Sequence, residues 1–114
     1  LERYRLTEWL NFVATEIHKG YGPLWRPEIG EAAVAAATAT LRKRYAIVEA
    51  QLAKTPFLAG QSFTIADAYL FTVTSWSTFL KLDLSGFPEL QAYMKRVAER
   101  PAVLAAMKAE KLVK

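Results

Sequence analysis

The chain has 114 residues, and its balance of 53% hydrophobic and 23% charged residues is typical of one globular domain. It contains no cysteine, which excludes disulfides, a thiolate nucleophile and a cysteine-based metal site. The net charge is +4, but the basic residues are scattered. We interpret their one cluster, RKR at 42–44, as a solvated helix face and do not expect nucleic-acid binding.

The first residues, LERYRLTEW, lack the features of a secretory signal, and no apolar run is long enough to cross a bilayer. Together with the absence of cysteine, this pattern is typical of a cytoplasmic protein. The chain starts without Met, on a residue that already belongs to a helical pattern. We therefore expect it to be part of a longer protein.

The first predicted helix runs from Leu1 to about Lys19 and carries an apolar stripe. Asn11, Thr15 and His18 fall at i, i+4 and i+7 and share a second face, which suits either a polar ligand or ordinary solvent exposure. Gly20 and the following Tyr-Gly-Pro sequence predict the end of this helix. The apolar residues of the next loop either plug the core or line a cleft, and the pattern alone favours neither.

A second helix is predicted from about Glu28 or Glu31 to Lys54, because its alanine-rich first half favours helix and Leu41, Tyr45, Val48 and Leu52 form a stripe. Thr55-Pro56 ends it. A further helix is predicted to begin at Pro88, with a buried stripe of Leu90, Tyr93, Met94 and Val97, and a short one to follow Pro101.

Between them, Thr64–Leu80 has apolar residues on every side, which predicts a buried central helix. Thr64 is placed to cap its first turn, and Asp67 to reach back to the Thr64 amide, as in a capping box. This favours a structural Asp67 over a catalytic carboxylate. No strand periodicity is present, so the fold class is all-α, with about five helices around Thr64–Leu80.

Without any comparison, the chemistry indicated by the residues is limited. His18 is the only histidine, so a histidine cluster is excluded and no metal site is expected. No spacing indicates a Ser-His-Asp triad or a phosphate loop.

Two separated segments, EWLNFVATEIHKGYGPLWRP and GQSFTIADAYLF, are similar to the C-terminal helical domain of bacterial beta-class glutathione transferases, and the similarity continues through MKRVAERP. The resemblance covers essentially residues 1–114. It implies a glutathione-transferase C-terminal-like bundle that lacks the family's N-terminal thioredoxin-like domain.

The resemblance also implies roles for individual residues. It places His18 beside the glutathione sulfur, where an imidazole can hydrogen-bond the thiolate. It places Asn11, Thr15 and Glu16 against glutathione, partly across a dimer interface. Lys19 follows the motif histidine and is expected either to help polarise the glutathione site or to be simply solvated. Five apolar or aromatic residues match the border of the hydrophobic substrate cleft, with core packing as the alternative for the last two: Tyr21, Leu24, Trp25, Tyr69 and Trp76.

The function implied is conjugation of glutathione, a co-substrate and not a cofactor, to hydrophobic electrophiles in detoxification, by a homodimer. The N-terminal domain holds most of the glutathione in this family, so residues 1–114 alone are expected to be inactive. The alternative is a non-catalytic interaction module, because similar helical domains are reused in protein assemblies.

Overall fold

The computed structural model describes residues 2–80 and 82–100, and within them every regular element is helical. These ranges contain four α-helices: α1 (Glu2–Phe12), α2 (Glu31–Leu52), α3 (Ile65–Leu80) and α4 (Pro88–Ala98). The all-α prediction is confirmed. The additional helix expected after Pro101 lies outside the described residues.

The end of the first helix differs from the prediction. The chain leaves α-helical geometry after Phe12 and continues as a π-helical segment, Val13–His18, and a 3₁₀ segment, Lys19–Trp25. Gly20 and Pro23 therefore do not end the helical path. Proline suits a 3₁₀ turn because its fixed φ is near the helical value, and here the Pro23 carbonyl accepts a bond from the Arg26 amide (3.1 Å).

The core lies where α2, α3, α4 and the π and 3₁₀ segments meet. The predicted stripes of α2 and α4 are buried, apart from the half-buried Met94. The largest side chains with almost no exposed surface come from every element around this core: Ile17, Tyr21, Leu41, Tyr45, Leu58, Leu70, Leu90 and Tyr93. Removing such side chains from water is the main stabilising term of the fold.

Helix α3 is less enclosed than the sequence predicted. It packs against α1, the π-helical segment and α4. These neighbours do not surround it, and Ile65 and Phe79 are both 64% exposed. One face of α3 is thus buried while part of the opposite face is open.

Glu49 connects α2 to the start of α4. Its two carboxylate oxygens accept bonds from the backbone amides of Glu89 (2.9 Å) and Leu90 (2.8 Å). These amides belong to the first turn of α4, where no carbonyl of the helix itself can pair with them. Glu49 therefore acts as a cap supplied by a different helix, an arrangement that no local sequence pattern predicts.

Arg42 and Arg44, from the basic cluster at 42–44, also have partners within the fold. Arg42 lies over the Phe87 ring, 5.1 Å from its centroid, and donates to the Asp83 carbonyl. Arg44 pairs with Glu16 through Nε and Oε2 at 3.1 Å. Two residues of the RKR cluster therefore make contacts within the fold while their side chains remain partly exposed to solvent.

Candidate active site

His18 is the last residue of the π-helical segment, and its exposed ring lies against α3. Its Nδ1 is hydrogen-bonded to the Tyr69 hydroxyl at 2.5 Å. The two rings meet edge to face, and the Trp76 ring contacts His18 in the same manner with centroids 5.1 Å apart. Because Tyr69 and Trp76 are seven residues apart on α3, they lie on one side of that helix. The imidazole ring of His18 therefore contacts the side chains of both Tyr69 and Trp76.

Trp76 is the centre of an aromatic cluster at the surface of the domain. Tyr21 and Trp25 each present a ring at 5.7 Å from it in edge-to-face geometry. Such pairs contribute about 0.5–1.5 kcal/mol beyond the area that they bury. Trp25 is 50% exposed and Trp76 half-buried, so the cluster combines an apolar surface open to solvent with the imidazole of His18.

Beneath this surface a chain of buried hydroxyls runs into the core. The Tyr21 and Tyr45 hydroxyls are 2.8 Å apart, and the Tyr45 hydroxyl is 2.9 Å from Thr74 Oγ1. Burial, as the main cause, raises the pKa of Tyr45 to about 12 and raises the pKa of Tyr21 well above its usual value. Both phenols are therefore neutral at physiological pH, and the chain is a structural support for the cluster.

This geometry corrects part of the predicted cleft. Tyr21 and Leu24 are buried, so of the two roles that the sequence left open they have the core role. The hydroxyl of Tyr21 is satisfied by Tyr45 inside the protein, and its ring supports Trp76 from below. Trp25, Tyr69 and Trp76 are the members of the predicted set that keep exposed surface.

Asn11 and Thr15 were predicted to share a face with His18, and Glu16 and Lys19 were predicted to belong to the glutathione site as well. Asn11, Thr15 and Lys19 are exposed, and the Thr15 hydroxyl donates to the Asn11 carbonyl at 2.7 Å. The face was predicted from the spacing of an α-helix, whereas the π-helical segment has wider turns with i to i+5 bonding. Glu16 points to Arg44 on α2.

Asp67 lies apart from this surface, at the start of α3, and is completely buried. Its Oδ2 accepts from the Thr64 amide (2.9 Å) and hydroxyl (3.2 Å), and Thr64 Oγ1 accepts from the Ala66 amide (3.3 Å). Its Oδ1 accepts from the Leu58 amide (3.0 Å) and the Tyr93 hydroxyl (2.7 Å). With every oxygen occupied by donors and no access to solvent, the carboxylate is structural.

Sequence reasoning missed the buried hydroxyl chain and the partner of Glu16. Tyr45 was counted only as an apolar stripe residue, although a buried phenol usually needs a hydrogen-bond partner, and this was the available signal. The Glu16–Arg44 pair joins residues 28 positions apart and left no local signal.

A cavity of about 490 Å³ lies elsewhere, between α1 and the segment that precedes α3. It is lined by polar and small residues, including Arg5, Thr55, Gln61 and Ser62. The hydroxyl of Thr55 is already bonded to the backbone of Phe57 (2.6 Å). The cavity adds no reactive group to the cluster around His18.

Comparison with known proteins identifies the family. The family model described as "Glutathione S-transferase, C-terminal domain" matches residues 12–101 of the chain. The chain belongs to this family. Glutathione S-transferase GstA of Escherichia coli O157:H7 is 46% identical to the chain over 112 residues, which cover 98% of the chain and 56% of that protein.

Solved glutathione transferases agree with this assignment. One from Methylococcus capsulatus str. Bath superposes with a TM-score of 0.95 at 51% identity, and the beta-class protein of Sphingomonas chungbukensis with 0.90 at 40%. Each comparison covers 99% of this glutathione S-transferase domain and 56% of the solved chain. The predicted resemblance to bacterial glutathione transferases with beta-class neighbours is confirmed.

The domain spans about half the length of the curated glutathione S-transferases that it matches. Within residues 2–80 and 82–100 no helix has both the length and the hydropathy of a membrane span. In the same ranges, no three side chains of His, Asp or Glu come together as a metal site would require.

Proposed function

We propose that residues 1–114 are the electrophile-binding helical domain of a glutathione S-transferase that conjugates glutathione to hydrophobic electrophiles. In this reaction the thiol of glutathione gives its proton to solvent, and the sulfur of the thiolate bonds to an electrophilic carbon. The sulfur either displaces a leaving group, which departs with its electron pair, or adds to a polarised double bond, whose other end then takes a proton from solvent. The domain supplies an apolar surface for the electrophile and a hydrogen-bonding group for the sulfur. Relatives named as glutathione S-transferases across 98% of the chain support this proposal.

The observation that carries it is the position of His18 at the edge of the aromatic cluster. Nδ1 is bonded to Tyr69, while among the described residues Nε2 has no hydrogen-bond partner. An imidazole nitrogen is therefore available to a ligand at a place where apolar aromatic surface begins. A thiolate stabilised by a donor, next to a surface for its reaction partner, is what conjugation requires.

Three exposed residues of the same helical path, Asn11, Thr15 and Lys19, are proposed to bind the polar parts of glutathione. Glu16 is included through Oε1, since its Oε2 is paired with Arg44. Arg44 would then fix the orientation of the carboxylate. The electrophile is proposed to lie on Trp25, Tyr69 and Trp76, with Tyr21 and Leu24 supporting this surface from the core.

The remaining parts of the proposal concern the whole protein. Because the matched relatives are nearly twice as long as the chain, we propose that an N-terminal thioredoxin-like domain holds most of the glutathione. We also propose a cytoplasmic homodimer with a role in detoxification, and the family membership supports this. The domain by itself is then expected to be inactive.

The first test is the intact mass of the protein purified from its own cells, followed by conjugation assays on that full-length protein. His18→Ala is expected to lower kcat/KM for conjugation by about 10- to 100-fold, the loss of a hydrogen bond to a charged group. Lys95→Ala, an exposed change on α4, is the control and should leave kcat/KM unchanged.

A native chain of only this length, or an intact protein that neither binds a glutathione column nor conjugates glutathione, would favour the interaction module. Full conjugation activity in His18→Ala would remove the catalytic role of that residue.

A further inference from the structure

The hydrogen bond between Tyr69 and Nδ1 of His18 bears on whether the other ring nitrogen, Nε2, donates or accepts a hydrogen bond. We propose that Tyr69 is a positioning residue: its hydroxyl donates to Nδ1 and fixes the neutral imidazole in the tautomer that carries its proton on Nε2. His18 then offers a hydrogen-bond donor, and not a base, to the glutathione sulfur. This inference rests on the proposed function, since it specifies how the same site acts.

The geometry holds the imidazole from two sides. The Tyr69 ring stands at 89° to it and the Trp76 ring at 71°, with centroids 5.5 and 5.1 Å away. Both aromatic residues belong to α3, whose first turn is anchored by the buried Asp67. The hydroxyl that meets Nδ1 is thus on a rigid support, 51 residues away in sequence.

The chemistry of the two groups decides which one donates. A phenol O–H is a better donor than an imidazole N–H, and an imidazole nitrogen is a better acceptor than a phenol oxygen. The favoured arrangement is therefore O–H from Tyr69 to the lone pair of Nδ1. The hydrogen bond made by one ring nitrogen determines the protonation of the other, so the proton resides on Nε2.

A donor at Nε2 matches the need of a thiolate. A sulfur that carries negative charge is stabilised by a preorganised N–H, and the donor needs no reorganisation when the charge develops. If Nδ1 instead carried the proton, Nε2 would direct a lone pair at the anionic sulfur and repel it. Tyr69 selects between these two outcomes without touching the sulfur itself.

The test uses Tyr69→Phe in the full-length protein, with ¹⁵N-labelled histidine and the His18→Ala variant to assign the His18 signals. In the wild type, Nδ1 is expected to be unprotonated and Nε2 protonated. In Tyr69→Phe the signals should indicate a mixture of tautomers. Conjugation by this variant should show kcat lowered about tenfold, with KM for glutathione within about twofold of wild type.

Tyr4→Phe is the matched control, because Tyr4 is 74% exposed on α1 and the change likewise removes one phenol hydroxyl. It should alter neither the tautomer nor kcat. The double variant His18→Ala/Tyr69→Phe should be no slower than His18→Ala, since phenylalanine keeps the ring of the electrophile surface and the removed hydroxyl acts only through the imidazole.

A proton on Nδ1 in the wild type, or a Tyr69→Phe variant with unchanged His18 signals and unchanged kcat, would overturn the inference. A wild-type protein with the expected tautomer but an inconsequential His18→Ala change would instead contradict the proposed function. The two failures are therefore distinguishable.

Discussion

Asp67 at the start of α3 and Tyr93 in the middle of α4 are joined by a hydrogen bond of 2.7 Å between the phenol hydroxyl and Oδ1. The same carboxylate accepts from Thr64 and Leu58, so one buried side chain ties α3, α4 and the preceding loop together. The buried phenol remains neutral, because desolvation first and the neighbouring carboxylate second raise the pKa of Tyr93.

Asp67→Asn is therefore expected to destabilise the domain. The amide retains one acceptor oxygen, but its NH₂ would face the Thr64 amide and leave that donor unsatisfied in the interior. We expect a loss of about 2–4 kcal/mol in the free energy of unfolding, measured by urea denaturation. Tyr93→Phe removes a single donor and should cost about 1–2 kcal/mol.

Asp83→Asn is the matched control, since Asp83 is exposed and its carboxylate accepts from the Ser85 amide (2.9 Å) in a loop. It should cost well under the loss at Asp67. Equal losses at the two aspartates would mean that the buried network contributes no more to stability than a loop turn.

The sequence predicted the elements whose signals are local. The Thr64–Asp67 spacing located the start of α3, and the apolar stripes located the buried faces of α2 and α4. Features joined over long sequence distances were not predictable, such as Glu49 capping α4 or Tyr69 meeting His18. Their geometry depends on how the helices pack, which no single helix encodes.

The candidate site was likewise predicted only in part, because its contacts also depend on how the helices pack. His18 was assigned to the glutathione sulfur and Tyr69 and Trp76 to the substrate cleft, and the structure brings the three together. The assumed α-helical spacing failed at the π-helical segment, so the polar face drawn through Asn11 and Thr15 does not follow from periodicity. The resemblance to the family assigned Tyr21 to the cleft, and a loop tyrosine gives no local sign of its buried partner Tyr45.

Gly20→Ala tests the close approach of the 3₁₀ segment to α2. A Cβ at residue 20 would lie 2.8 Å from Leu41 Cδ2 and 3.2 Å from Cγ, and because Leu41 is fully buried, its side chain must shift within the core to admit the new methyl group. Overpacking of this kind should cost about 1–3 kcal/mol in thermal or urea unfolding. The neighbouring His18 would move with the segment, so conjugation by the full-length protein should also fall.

A double-mutant cycle with Leu41→Ala isolates the contact. Leu41→Ala alone should destabilise by about 2–5 kcal/mol, because it leaves a cavity. The double variant should be at least about 1 kcal/mol more stable than the sum of the two losses predicts, as the clash is removed. Strict additivity would show that Gly20 is not constrained by Leu41.

The buried tyrosines predict how stability depends on alkaline pH. The folded-state pKa of Tyr45 is raised to about 12 from 10.0, and those of Tyr21 and Tyr93 are raised further by burial. The unfolded chain loses these protons near pH 10, whereas the folded chain retains them. The stabilising contribution is thus complete below about pH 10 and is lost as the pH rises toward the folded values.

Urea denaturation at a series of pH values, combined with the absorbance of tyrosinate, measures this loss. Each retained phenol adds about 1.4 kcal/mol per pH unit to the decline above pH 10. Tyr45→Phe should reduce the slope by about that amount, whereas Tyr4→Phe, at an exposed residue, should leave it unchanged. If Tyr45→Phe declined as steeply as the wild type, Tyr45 would have to ionise in the folded protein as readily as in the unfolded chain, and the hydroxyl chain beneath Trp76 would not be sealed from water.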